Sequence, residues 1–535
     1  MATRLTTTRA VRAVRGAWAI LAAGTVLGAC DGSGGPGGPL AYAFPAGFRW
    51  GTATAGFQVE MGCPTVAANE CEDRGSDWYA FITSPETLAS PTAYLSGDPP
   101  SAGPGHWELF EEDFDRAAHA LANDAYRMSF EWSRIFPTAT DDATTLEALR
   151  ALANPAALAR YHDMLAALRA RGLEPMVTLD HYTLPSWIHD GVGCHLDFAS
   201  CTRRGWVDRE RIVREIAKYA GFVAAEFGAE VDRWATLNEP LAVFYPGYLY
   251  PSQERSNPPA LLLQTEAAKT AIFAMIDAHA RMFDAVKAND LTDADGDGSA
   301  ASIGLVYNLS PVYPKDASKP GDRLAAQNVQ YLYDEVFLRA VALGELDTDL
   351  DGTVDAMPPE LAGRMDWLGV NYYNRIFVEQ FLVPGLAILP GLSSLTTFNP
   401  LTLAYDRDYA RGIYEAVSYA AQRFHLPIYV TENGAPDEAG YPPQDRFLVE
   451  NLAWIARAID EGADVRGYFY WSLMDNYEWN QGMGTPFGLY AVDAADPAKT
   501  RSPRAVAGVY RDIALRGGVS ATLAERFPID ASAAP

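Results

Sequence analysis

Arg233-Trp234-Ala235-Thr236-Leu237-Asn238-Glu239-Pro240 holds a short candidate strand, Arg233–Asn238, that leads into a carboxylate. Such a run suits a strand buried on both faces, as in a parallel sheet covered by helices. Glu239 then sits where strand gives way to loop. Other runs have the same form: Phe48–Thr52, Ala125–Phe130, Glu174–Asp180, Ile303–Asn308, Asp366–Asn371, Pro427–Thr431 and Val465–Trp471. Stretches with helical periodicity separate them, among them Glu111–Asn123, Arg209–Phe227, Leu261–Ala288, Arg323–Leu343, Asp408–Phe424 and Asp445–Asp460. Strands alternating with helical crossovers predict an α/β fold, a (β/α)8 TIM barrel with enlarged βα loops.

Polar and aromatic residues gather at the C-terminal ends of these runs: Arg127 and Ser129, His181, Asn238-Glu239, Asn308, Asn371-Tyr372-Tyr373, Glu432-Asn433 and Trp471. Barrel active sites are assembled at that face from several strand ends. The fourth and seventh runs lie on different sides of a closed barrel, so Glu239 and Glu432 can face one another across its mouth.

The rest of the chain fits one large barrel. It has 535 residues, 49% of them apolar and 12% aromatic, with no tandem repeat at a solenoid period. A formal charge of −26 repels nucleic acid and anionic membrane surfaces at long range, which argues against a nucleic-acid enzyme. Val383–Asn399 is an apolar insertion broken by Gly and Pro, expected to loop over the barrel mouth.

The N-terminus reads as an address. Arg4, Arg9, Arg12 and Arg15 precede an apolar stretch from Ala17 to Ala29 that is too short to span a bilayer comfortably. It ends Leu27-Gly28-Ala29-Cys30, which resembles a bacterial lipobox, and a Gly/Pro-rich tether follows. The expected layout is a lipoprotein-type signal over 1–29, lipidated Cys30 with a tether over 30–43, one catalytic domain over 44–527 and a tail over 528–535. This describes an exported protein held at a membrane by its lipid alone, facing periplasm or cell surface. The competing reading is an ordinary cleaved signal. Four cysteines remain, in two close pairs. In an exported chain they read as the disulfides Cys63–Cys71 and Cys194–Cys201, the pairing with the shortest loops; neither pair has zinc-knuckle spacing.

Further motifs make the reading specific. Thr236-Leu-Asn-Glu-Pro240 and Thr431-Glu-Asn-Gly434 accompany Phe44-Pro-Ala-Gly-Phe-Arg-Trp-Gly-Thr-Ala-Thr-Ala-Gly-Phe-Gln58-Val-Glu60, Tyr126-Arg127-Met-Ser-Phe-Glu-Trp-Ser-Arg-Ile-Phe-Pro137, Asp366-Trp-Leu-Gly-Val-Asn-Tyr-Tyr373 and Gly467-Tyr-Phe-Tyr-Trp-Ser-Leu-Met-Asp-Asn-Tyr-Glu478-Trp479. In this order they resemble glycoside hydrolase family 1 over nearly all of the mature chain. The resemblance implies hydrolysis of terminal β-D-glycosyl residues, above all β-D-glucosides, from a small β-glycoside or oligosaccharide. It implies retention of configuration and no required cofactor. Glu432 matches the nucleophile and Glu239 the acid/base, whose carboxyl groups a retaining enzyme holds roughly 5–5.5 Å apart. Arg127, Asn238 and Tyr373 match the residues that support the nucleophile and the transition state. Gln58, His181, Asn238, Trp471, Glu478 and Trp479 match sugar-binding positions. Glu478 disfavours the 6-phospho-glycosidase branch, where a carboxylate would repel phosphate. Transglycosylation on the same fold and a catalytically inactive, lipid-anchored carbohydrate receptor compete with hydrolysis. Tyr182 stands where the family usually has Trp, Met483 and Pro486 where Tyr and Arg are usual, and Asn451 where His is common.

Two acidic loops stand apart. Asp347, Asp349, Asp351 and Asp355, and more weakly Asp293, Asp295 and Asp297, follow the alternating-acid pattern that opens a calcium loop, so structural Ca2+ is a candidate. Gly304 and Pro358 occupy the twelfth positions, where such a loop has Glu. An acidic surface loop explains the same pattern.

Overall fold

The structure is a computed structural model that describes residues 38–380 and 403–530. The signal segment, Cys30, most of the tether, the 383–399 insertion and residues 531–535 lie outside the described residues. Eight parallel strands close into a barrel: β1 (Arg49–Ala53), β2 (Ala125–Ser129), β3 (Glu174–Asp180), β4 (Arg233–Asn238), β5 (Ser302–Asn308), β6 (Trp367–Tyr372), β7 (Ile428–Asn433) and β8 (Val465–Trp471). Each lies within a residue or two of its sequence reading. β7 runs further than expected and takes Glu432 and Asn433 into the strand.

Helices cover the outside: α1 (His106–Asp115), α2 (Pro155–Ala170), α3 (Arg209–Phe227), α4 (Thr265–Asn289), α5 (Val336–Leu343), α6 (Arg411–Phe424), α7 (Gln444–Asp460) and α8 (Ala505–Arg516). α2 is absent from the sequence reading, although its start is well marked: Asn154 accepts from the Ala156 amide at 3.1 Å and Pro155 opens the first turn. α4 begins at Thr265 rather than Leu261, because the Leu261, Leu263 and Gln264 amides bond back to the Gly247, Leu249 and Tyr248 carbonyls. The stretch read as one helix over Arg323–Leu343 is two helical pieces joined by a wider turn at Tyr331–Glu335, closed by the Val336 amide donating to the Tyr331 carbonyl.

Inside the barrel, Trp367, Tyr429 and Phe469 face the small residues Ala53, Ala125 and Ala235. The packing leaves no room for a side chain at Gly304, where a Cβ would lie 2.3 Å from the Trp367 ring. Large against small residues fill a barrel this narrow, so the lower half is solid and the open space lies above it. Leu40–Ala43, counted with the tether from sequence, pair antiparallel with Gly518–Ser520, so the folded unit starts before residue 44. Both local disulfides, Cys63–Cys71 and Cys194–Cys201, are present. Among the described residues no helix is long and apolar enough to cross a membrane.

Candidate active site

Glu239 and Glu432 both follow an irregularity in strand pairing. On β4, Ala235 pairs with Gly304 and Asn238 with Val306, so three steps on β4 match two on β5. On β7, Val430 pairs with Val370 and Glu432 with Asn371, two steps against one. An extra residue of this kind bends a strand tip and re-aims its side chains. Glu239 itself is left-handed, at φ 42°, a conformation a non-glycine residue holds only where its surroundings fix it. The glycine of Thr-Glu-Asn-Gly has a plain reason: a Cβ on Gly434 would lie 2.0 Å from the Trp471 carbonyl oxygen.

Arg127 organises the floor of the site. Fully buried on β2, it donates to Glu432 Oε1 at 2.6 Å, to the Thr431 carbonyl at 3.2 Å, to Asn238 Oδ1 at 2.7 Å and to Thr178 Oγ1 at 3.2 Å. Tyr373 donates to Glu432 Oε2 at 2.7 Å. Guanidinium has donors and no acceptor, so its bond fixes which end of Asn238 is oxygen. The Asn238 amide nitrogen therefore faces the other way, toward Tyr182 Oη at 3.0 Å and His181 Nε2 at 3.1 Å. His181 Nε2 must then accept, which places its proton on Nδ1. Nδ1 is buried without a protein partner. Gln58 is in the complementary state: its amide nitrogen donates to Glu478 Oε2 and Asn476 Oδ1, both at 2.9 Å, while its buried Oε1 has no partner. One unpaired donor and one unpaired acceptor thus await hydroxyl groups.

Glu239 lies opposite. Its Oε2 accepts from Tyr182 at 2.5 Å, and its Oε1 from Asn371 at 2.8 Å and Asn308 at 3.3 Å. His181 stacks between Trp471 and Trp479, at centroid distances of 6.0 and 5.9 Å. Arg255 reaches Glu478 Oε1 at 3.4 Å and lies over the rings of Tyr182 and Trp479. A cavity of about 590 Å³ joins Gln58, His181, Glu239, Tyr373, Glu432, Trp471, Glu478 and Trp479 to an outer vestibule that includes Tyr245, Tyr405 and Arg407.

Burial dominates the electrostatics. It pushes the Glu432 carboxyl up to about 7; Arg127 and Tyr373 pull it down, while the charge of Glu239 pushes it further up. The supporting donors therefore moderate a burial penalty rather than leave Glu432 in the ordinary carboxylate range. Burial also raises Glu478, opposed by Arg255 and Gln58. It holds His181 well below its usual value, with the charges of Arg127 and Arg255 adding, so the ring is neutral at pH 7. Burial and nearby carboxylates keep Tyr182 and Tyr373 protonated, as donors.

Two carboxylates at the mouth of a closed barrel, one paired with Arg and Tyr, and a hydrogen-bonding, tryptophan-walled recess beside them, are the equipment for cleaving a glycosidic bond. The family model for glycosyl hydrolase family 1 matches residues 40–519. The chain belongs to glycosyl hydrolase family 1. It is 34% identical to a β-galactosidase of Pyrococcus woesei over 90% of this chain and 99% of that protein. To β-glucosidase A of Thermotoga maritima it is 28% identical, over 84% and 93% respectively. Among solved structures, the β-glycosidase of Thermosphaera aggregans superposes with a TM-score of 0.76 at 30% identity, over 91% of this chain and all (100%) of that one. This family 1 chain is a retaining β-glycosidase that hydrolyses β-glycosides, and the chemistry requires no cofactor.

The site residues expected from sequence converge on this one cavity and its floor. Sequence reading missed Arg255, which carries no motif of its own, and the bond from Tyr182 to Glu239, which shows in sequence only as an unusual residue after His181. The acidic loops differ in part from expectation. Carboxylates of Asp347, Asp349 and Asp355 come within 4.8 Å of one another and could hold a cation; Asp351 is not in the group. In the other loop Asp293 and Asp295 gather with Asp232, from the approach to β4, and Asp297 is not in the group.

Proposed function

We propose that Glu432 attacks the anomeric carbon of a terminal, non-phosphorylated β-D-glucosyl or β-D-galactosyl residue while Glu239 protonates the departing oxygen. Glu239 then activates water to release the sugar with its β configuration retained. One observation carries this: Arg127 and Tyr373 grip both oxygens of Glu432, while Glu239 bonds only neutral hydroxyl and amide donors. The paired carboxylate is suited to nucleophilic attack, and the other to gaining and losing a proton. The unpaired His181 Nδ1–H and Gln58 Oε1, with Glu478, meet the sugar hydroxyls, and Trp471 and Trp479 take its C–H face. The names of the relatives support glucose and galactose as the sugars. Glu478 places a carboxylate beside Gln58, which disfavours a 6-phosphate.

The enzyme works outside the cytoplasm, anchored by lipid at Cys30. The basic, apolar, Cys and Gly-rich order of the N-terminus supports this, as do two disulfides in a chain with no other cysteine but Cys30. Hydrolysis of a panel of aryl β-glycosides by wild type, Glu432→Ala and Glu239→Ala tests the chemistry. Cleavage of a plain β-glycoside, abolished by Glu432→Ala, with Glu239→Ala rescued by azide as a β-glycosyl azide, is the expected result. Folded wild type that cleaves no β-glycoside overturns it. Metabolic labelling with a fatty-acid analogue, lost in Cys30→Ala, tests the anchor.

A further inference from the structure

The hydrogen-bond polarity around Glu239 can be followed from a single donor. Arg127 fixes the oxygen of Asn238. That oxygen also receives the Asn371 amide nitrogen at 3.3 Å, which fixes the orientation of Asn371. Thr431 donates to Asn371 Oδ1 at 2.7 Å and secures it. Asn371 therefore presents N–H to Glu239 Oε1 at 2.8 Å, joined there by Asn308 at 3.3 Å. Each carboxylate oxygen has two lone-pair sites. Both sites on Oε1 face amide groups that only donate, so a proton placed there meets another proton.

Oε2 differs. It accepts from Tyr182 at 2.5 Å and has no other protein donor among the described residues. The Tyr182 hydroxyl cannot turn away freely, because Asn238 donates to it from the other side at 3.0 Å. Its own proton therefore points at Glu239, and one lone pair of Oε2 stays open toward the cavity. Tyr182 is buried, and its ring packs on Trp479 at 4.8 Å and under Arg255.

We propose that Tyr182 is the positioning residue of the proton donor: with Asn371 and Asn308 on Oε1, it leaves one lone pair of Oε2 as the place where Glu239 carries the catalytic proton and aims it at the glycosidic oxygen. This rests on the acid/base reading of Glu239. The O–H bond of Glu239 breaks as the C–O bond to the leaving group breaks; the proton goes to the departing oxygen and the electron pair remains on Oε2, where Tyr182 stabilises it.

The test is a leaving-group series with Tyr182→Phe, read as kcat/KM, which reports the first bond cleavage. The loss is expected to grow with the basicity of the leaving phenol: about twofold or less for 2,4-dinitrophenyl β-glycosides, which need little protonation, and about 10- to 100-fold for p-methoxyphenyl β-glycosides. In a Glu239→Ala background, azide-rescued turnover of the dinitrophenyl substrate is expected to be unaffected by adding Tyr182→Phe. A loss of equal size across the series, or no loss, overturns the proposal and leaves Tyr182 as a wall of the cavity. Equal slowing of the azide-rescued rate also overturns it. If Tyr182→Phe does not fold, Tyr182→Leu, which keeps an apolar wall and carries no donor, is read in the same series by the same criteria. Failure of wild type on the dinitrophenyl substrate instead refutes the glycosidase reading itself.

Discussion

Tyr373→Phe isolates one hydrogen bond on the proposed nucleophile. The change removes a hydroxyl whose bond is to Glu432 Oε2 at 2.7 Å and leaves the ring beside Phe487, at a centroid distance of 5.9 Å. A hydrogen bond to a charged group contributes about 1.5–3 kcal/mol, which equals roughly one to two pH units of preference for the charged form. Burial pushes Glu432 up to about 7 against the pull of Arg127 and Tyr373. The carboxyl must be ionised to attack, so the acid limb of kcat/KM for free enzyme is expected near pH 7, and Tyr373→Phe moves it up by that one to two units. At pH 7 the ionised share falls from about half to roughly 1–10%, a loss of about 5- to 50-fold that recedes as pH rises. A 2,4-dinitrophenyl β-glucoside suits the assay, because its leaving group needs little help from the proton donor. The sign extends to stability. A carboxyl raised above its ordinary 4.5 contributes stability that is present below that value and lost as pH rises through about 7. A limb that stays in place, or a loss of the same factor at every pH, refutes the reasoning.

Other outcomes follow from single contacts. Burial lifts Glu131 to about 8, with the charges of Glu60 and Asp73 adding; its stabilising contribution is therefore present below its ordinary 4.5 and disappears as pH rises through about 8, and Glu131→Gln is expected to flatten the fall in melting temperature between about pH 5 and 8. Gly434→Ala forces a Cβ to within 2.0 Å of the Trp471 carbonyl oxygen; the backbone must move, with a destabilisation of about 1–3 kcal/mol visible in thermal melts and a fall in kcat from the displaced Glu432. Glu478→Gln removes the charge that receives Gln58 at 2.9 Å and Arg255 at 3.4 Å; kcat/KM on a plain β-glucoside is expected to fall about 10- to 100-fold, while turnover of a 6-phospho-β-glucoside rises from its wild-type level.

The eight strands, most of their helices and both carboxylates were legible in sequence because each depends on local order. A strand buried on both faces needs a continuous apolar run, and a residue at its C-terminal end reaches the barrel mouth whatever loop follows. The family motifs mark the same positions. α2 went unread despite its Asn154-Pro155 start, and the helix breaks at Tyr331 and before Thr265 depend on backbone partners that helical periodicity does not show. The calcium pattern shows the limit of spacing: alternation brought Asp293 and Asp295 together, but the third carboxylate, Asp232, comes from the approach to another strand.

Sequence by itself determined that this chain is a barrel with two opposed glutamates, because strand periodicity and the identity of strand-end residues are properties of short segments. Tertiary structure alone decided how those glutamates are held. The bulges that turn Glu239 and Glu432 into the mouth exist only relative to the neighbouring strands. The proton positions on His181, Asn238, Asn371 and Tyr182 propagate from Arg127, across contacts separated by up to 133 residues in sequence. Hydrogen-bond polarity passes from donor to acceptor through space, and it is determined only once every partner is in place.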